Sequence, residues 1–274
     1  MRITLQRALA LSAVLLLSVG CQGTKGNADG ELAPVSVTPA ELTEENFGPR
    51  VLGALRAKGT FSVEAVAIAK EGPDEATIKA NVSWTQAGTD VSIPAGDPPM
   101  IRIGGVVYTK DDKLTGNPKR PWARLNPRGS DPAEKEAVFV AESVIGLAAG
   151  YQVIGGTMFV TEFQRGGQIV IDGADHAQEY IITIDSHLGA RAAVLGELLN
   201  TRIKEAAPRE MQISVAVDAK DLPRRIEYVY DDGADLATRV RLTLRDYGKG
   251  LPITAPPAAM VGEVTAGKVT AGST

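Results

Sequence analysis

Three consecutive runs of alternating apolar and polar residues, joined by short connections, constrain the fold of this chain more than any other feature. Met211, Ile213, Val215 and Val217 share one face, then Ile226, Tyr228 and Tyr230, then Val240, Leu242 and Leu244. The opposite faces carry Gln212, Ser214, Glu227, Arg239, Arg241, Thr243 and Arg245, which must meet water. A period of two with one wet face is the pattern of half-buried strands. The connections Lys220-Asp221-Leu222-Pro223 and Asp231-Asp232-Gly233 are short enough only for antiparallel hairpins.

The same period recurs earlier. Phe61, Val63, Ala65, Ala67 and Ala69 lie on one face, and after the turn Glu71-Gly72-Pro73-Asp74 so do Ile78, Ala80, Val82 and Trp84. Val91 with Ile93, Ile101 with Ile103, and Val106 with Tyr108 mark three shorter strands, and Pro121 to Leu125 marks one more. Gln168 to Ile171 and Glu179 to Asp185 flank the turn Asp172-Gly173.

Helical signals are fewer. Thr43-Glu44-Glu45 opens a helix through Phe47, Val51, Leu52 and Leu55 to Gly59, with Gly48-Pro49 expected to disturb its first turn. Asp131-Pro132-Ala133-Glu134 opens a second, with apolar Val138, Ala141, Val144, Ile145 and Ala148 and Gly150 at its close. Leu188 to Ala206 reads as a long third, and Met158 to Phe163 fits either a short helix or a strand. Many antiparallel strands with one apolar face need a cover, and only these helices can supply it. The expected class is therefore α+β: a single large curved antiparallel sheet, a half-barrel, with helices across its concave face.

The N-terminus has a separate character. Arg2 and Arg7 precede an apolar run from Ala8 to Val19 that falls short of the roughly 20 residues needed to span a bilayer. This is the layout of a signal peptide over residues 1–20. Ser18-Val19-Gly20-Cys21 resembles the bacterial lipobox, although Leu17 stands one position further from the cysteine than in the commonest form. Cys21 is the only cysteine, so no internal disulfide is possible and an exported thiol would be left over. Acylation at Cys21 accounts for it, and two or more chains anchor stably where one does not. Residues 21–41 read as the lipidated cysteine and a flexible tether, 42–256 as one folded domain, and 257–274 as a disordered small-residue tail.

Loss of residues 1–20 leaves 27 Lys and Arg against 33 Asp and Glu, a net charge of −6. That balance argues against nucleic acid as a partner and against a polybasic grip on anionic headgroups. The membrane contact expected is acylated Cys21, on the extracytoplasmic face of the cell membrane. Catalytic signatures are missing: there is no Gly-x-Ser-x-Gly, no His-Glu-x-x-His, no paired-cysteine metal spacing and no phosphate loop. His176 and His187 have no recognisable nucleophile partner, and Asp231 to Asp235 reads as a hairpin turn rather than a calcium loop. No cofactor or metal is expected.

Aromatic residues make up 5% of the chain, so the inward positions of the sheet are mainly Ala, Val and Ile. Either the helices dock closely on small side chains or the space stays open for an apolar guest, and periodicity alone does not separate the two. The inward set is Val63, Ala65, Ile78, Ala80, Val82, Val91, Ile103, Val144, Ile145, Ile182, Ile213, Val215, Tyr228 and Leu242.

Several motifs carry a resemblance. These are the lipobox, Leu42-Thr43-Glu44-Glu45-Asn46-Phe47, and Val170-Ile171-Asp172-Gly173 leading into Glu179 to Asp185. Leu222 to Glu227 and Leu244 to Gly248 before Ile253-Thr254-Ala255-Pro256 complete the set. In order and spacing the chain resembles the actinobacterial LppX/LprG-like lipoprotein family, which has the LolA/LolB-like fold. The resemblance implies a half-barrel whose helices close a hydrophobic cavity for the acyl chains of envelope lipids or glycolipids. It implies a carrier or chaperone role, no enzyme activity and an envelope transport partner of unknown identity. The residue it carries over is Cys21 as the anchor; the inward set above supplies the cavity candidates. The alternative is a surface lipoprotein with a filled core, engaging a protein partner through a face such as Arg239, Arg241 and Arg245.

Overall fold

In the computed structural model twelve strands form one open sheet, in the order β12-β6-β5-β4-β3-β2-β1-β11-β10-β9-β8-β7. The structure describes residues 41–69, 75–85, 88–171, 175–193, 195, 209–230, 238–250 and 253–265. The expected signal peptide, Cys21, most of the expected tether and the turns expected at 71–74, 172–173 and 231–235 lie outside them. Strands β1 (Thr60–Ala69) to β6 (Trp122–Leu125) form one half: β2 (Glu75–Thr85), β3 (Gly88–Ile93), β4 (Met100–Ile103) and β5 (Val106–Lys110) run between them. The other half holds β7 (Val160–Ile171), β8 (Asp175–Asp185), β9 (Glu210–Val217), β10 (Pro223–Tyr230) and β11 (Thr238–Arg245). The halves join where β1 pairs with β11, with Val63 opposite Leu244 and Ala65 opposite Leu242.

Eleven of the strands pair antiparallel, as the hairpin spacing predicts. The exception is β12 (Val261–Gly262), which adds parallel to β6. This corrects the expectation of a disordered tail from residue 257: the ordered chain continues to residue 265 through a short 3-10 turn, Ala258–Met260. Val264 packs on the core beneath, and the Thr265 amide donates to the Leu114 carbonyl. The expected tail beyond that point lies outside the described residues.

Helix α1 (Glu44–Lys58) starts at Thr43, whose backbone amide donates to Asn46 Oδ1 at 2.8 Å, and ends at Gly59 with φ 69°. Pro49 does not interrupt it; the carbonyl left without its amide is that of Glu45, an exposed residue in the first turn. Gly48 is needed there, since a Cβ would stand 2.4 Å from Thr157 Oγ1. Helix α2 (Asp112–Thr115) is a single turn capped by Asp111. Helix α3 (Pro132–Ala148) has Pro132 in its first turn, and Asp131 Oδ1 accepts from the Ala133 and Glu134 amides.

Beyond α3 the chain does not open into a loop. Gly150–Phe159 is a ten-residue 3-10 segment, bent 64° from α3 and largely buried. Its glycines permit that: a Cβ on Gly150 would meet Tyr228 Oη at 2.6 Å. The ambiguous stretch 158–163 divides between this segment and β7. The long helix expected from Leu188 is a short α4 (Ser186–Arg191), and Ala193 has left-handed φ 56° immediately after it. Most of the remainder, 196–208, lies outside the described residues.

The helices cover one face. Ala80 and Val82, two apart in β2, belong to two different core clusters and so place both on the same side of the sheet. The larger cluster packs α1, the 3-10 segment and α4 on β1 and β8–β11, through Phe47, Val51, Leu55, Tyr151, Ile154 and Ile182 among others. The smaller lies under α3, on β2–β6. On the opposite face, β1, β2, β10 and β11 carry a ladder of ion pairs: Arg241 and Arg225 both reach Glu227 Oε1, at 2.9 and 3.1 Å, and Glu64 lies 3.6 Å from Lys79 and 3.8 Å from Arg245. Across β7–β9, Ile171, Ala177 and Ala216 form a small third buried cluster.

Candidate functional site

The inward residues of β1, β2 and β8–β11 are mostly buried in one cluster. Val63, Ala65, Val82, Ile182, Ile213, Val215, Tyr228 and Leu242 are all buried in the larger cluster, with Ile78 half-buried against it. Ala80, Val91 and Ile145 are buried in the smaller cluster, where Ile78 and Val144 pack half-buried. Ile103 stands apart, half-buried at the β4–β5 turn opposite Val106. So the sequence set divides between two cores instead of lining one space. Packing is close around Tyr228, and burial pushes its hydroxyl above the usual tyrosine range.

Open apolar space lies elsewhere, at the sheet end covered by α3. A cleft of about 240 Å³ separates the first half of α3 from β4 and β5. Met100 and Thr109, cross-strand partners in β4 and β5, form the sheet side, and Leu114 of α2 closes one end. The helix side is Ala133, Ala137 and Val140, with Glu136 beside them; Pro98 and Asp111 complete the rim. Leu114 and Ala137 also pack on the smaller core, so the cleft lies beside it. Val140 is 42% exposed and Phe139 59%, which leaves bulky apolar surface around its helix side.

Thr109 is 2% exposed, and its hydroxyl has no hydrogen-bond partner among the described residues. It faces the α3 side between Met100 and Ala123, both buried in the smaller core. Asp111 accepts the Lys113 amide at 2.9 Å as the cap of α2, and Glu136 is exposed.

None of the cleft residues is in the inward set. One signal was available: Ala133, Ala137 and Val140 are spaced i, i+4, i+7, a second apolar stripe beside Ala141, Ile145 and Ala148. A helix with one buried face needs only one such stripe. His176, at the start of β8, and His187, in α4, are exposed and do not line the cleft. Among the described residues no cluster of His, Cys, Asp and Glu could hold a metal ion, and no single helix is long and apolar enough to cross a membrane.

No protein-family model and no curated protein matches the chain. Among solved structures it is similar to LprF from Mycobacterium bovis, at 16% identity and TM-score 0.45 over 78% of this chain and 96% of that one. It is also similar to the Mycobacterium tuberculosis lipoprotein LppX, at 17% identity and TM-score 0.43 over 77% and 98%. A LolA superfamily protein from Nitrosomonas europaea follows at 12% identity and TM-score 0.30, over 78% and 99%.

Proposed function

We propose that this protein is an envelope lipoprotein, acylated at Cys21, that takes acyl chains of a lipid or glycolipid beneath α3 and carries them shielded from water. The cleft between α3 and β4–β5 is the observation that supports this most directly. Its lining is mainly apolar, Val140 on its helix side is exposed, and Met100 on its sheet side is buried in the smaller core. Each methylene removed from water contributes about 0.8 kcal/mol, so an alkyl chain binds there without a charged recognition group. Val91, Val144, Ile145 and Ala80 lie behind the cleft in the same core. The tether from Cys21 to residue 41 would give the domain reach between membrane and acceptor.

Native mass spectrometry of the full chain, extracted from a host with a comparable envelope, tests this. Lipid-mass adducts that vanish under denaturing conditions are expected. The Cys21→Ser form should keep them while losing the covalent acyl mass. A clean protein mass in both forms would overturn the lipid-carrier reading.

A further inference from the structure

We infer that residues 258–265 form a detachable latch on one end of the α3 cleft: the strap holds α2 in place, and α2 holds Leu114 over that end. The latch goes beyond the carrier reading and does not depend on what the cleft takes.

Helix α2 has little with which to hold itself. It is one turn in the connection between β5 and β6, and an isolated turn is unstable in water. Asp111 caps its start, and the buried Thr115 hydroxyl donates back to the Asp112 carbonyl at 3.2 Å. The last carbonyls of a helix find no partner within it. The strap supplies one, since the Thr265 amide donates to the Leu114 carbonyl at 2.8 Å. Two glycines allow that approach. A Cβ on Gly262 would meet the Thr115 side chain at 3.2 Å, and one on Gly116 would meet Thr265 Oγ1 at 3.0 Å. Leu114 closes the cleft and packs on the smaller core, where Val264 of the strap also packs.

The strap has few anchors of its own. Its sheet pairing is Val261 with Trp122 and Gly262 with Ala123, and nothing longer. Val261, Gly262 and Val264 are half-buried, whereas Ala258 to Met260, Glu263 and Thr265 are exposed. Pro256 is buried just before it, which gives the strap a fixed point at its start. A segment with so few buried contacts opens locally, well before the sheet does. On opening it takes the Thr265 bond from α2 and frees the Leu114 end of the cleft.

Hydrogen–deuterium exchange of the full chain carrying Cys21→Ser tests this. It is read beside thiol labelling of Met100→Cys, a buried position on the cleft wall and then the sole thiol. Val264→Ser removes the strap's packing, and Gly262→Val drives a side chain against Thr115. Each should speed exchange in 261–265 and in α2 by the same factor, roughly threefold to tenfold, with β1 and β2 unchanged. Labelling at position 100 should rise in step. The reverse variant pairs Gly262→Cys with Thr115→Cys in the Cys21→Ser chain without the position-100 thiol. Its Cβ atoms would lie 3.2 Å apart, near the ~3.5–4.5 Å of a disulfide. Oxidation should slow α2 exchange, and reduction should restore it. Exchange of α2 at the parent rate in a chain whose strap has been freed would overturn the latch. So would faster exchange throughout the sheet with a lower urea midpoint, which would make 258–265 part of the core. Unchanged strap exchange in both single variants would overturn it too, because the contacts named would not be what holds the strap.

Discussion

At Gly156 the 3-10 segment comes so close to the sheet that a Cβ would stand 2.5 Å from Ile184 Cδ1 and 2.4 Å from Leu195 Cδ2. Both neighbours are fully buried, so neither side chain can swing into water. Gly156→Ala should therefore destabilise the domain by about 1–3 kcal/mol, the usual cost of overpacking, seen as a lower urea midpoint at unchanged slope. Two carboxylates give the residue scale a pH dependence. The Leu188 amide, with help from Arg209, holds Asp185 below the ordinary 3.8, and Lys249 and Ser62 do the same for Asp246. A carboxylate with a depressed folded-state pKa takes up its proton more readily when unfolded. Its stabilisation is complete above 3.8 and is lost as the pH falls through the folded-state value. Chemical denaturation of Asp246→Asn should show a smaller drop in midpoint between neutral pH and acid than the parent chain.

Between elements, α1 is tied to the β9–β10 turn by Arg50 and Asp221. Arg50 Nε donates to Oδ2 at 3.0 Å, and Nη2 reaches Oδ1 and Oδ2 at 2.9 and 2.7 Å. Asp221 sits at φ 60° in the turn, where its amide donates to the Asp218 carbonyl at 3.0 Å. A lysine offers a point charge where this geometry needs a planar fork. Arg50→Lys should cost about 1–2 kcal/mol in thermal or urea unfolding, with α1 exchanging its amides faster than the strands do. Legibility at this scale followed periodicity. Strands with one wet face, β1–β2 and β9–β11, stand in the sequence almost to the residue. The first part of β7 does not: it is a sheet edge with shifted register and both sides largely exposed, so Val160 to Arg165 shows no alternation. The 3-10 segment was hidden because its glycines serve close packing, which sequence reads as punctuation. Strand β12 is two residues long, in a stretch with no period at all.

Across the whole molecule, the class of fold and the inward faces were readable because a two-residue period must put its apolar side under a cover. The division into two cores was not, since Ala80 and Val82 have the same sequence character and differ only in which helix lies above them. The cleft was missed for the same reason. It needs Thr109 of β5 and Ala137 of α3 on opposite walls, a juxtaposition that tertiary packing alone creates. The pairing of β1 with β11 at the middle of the sheet has a consequence in time. Ser62 donates to Asp246 across 184 positions of sequence, so the first strand waits for nearly the last before its second edge is satisfied. Contacts of that span make for slow folding, in the millisecond-to-second regime of non-local β topologies. Until then β1 to β6 can form only a sheet whose border at β1 is unsealed, the state in which such a chain is most open to mispairing with its neighbours. The junction that makes this one sheet is thus also the step at which a nascent copy is most vulnerable.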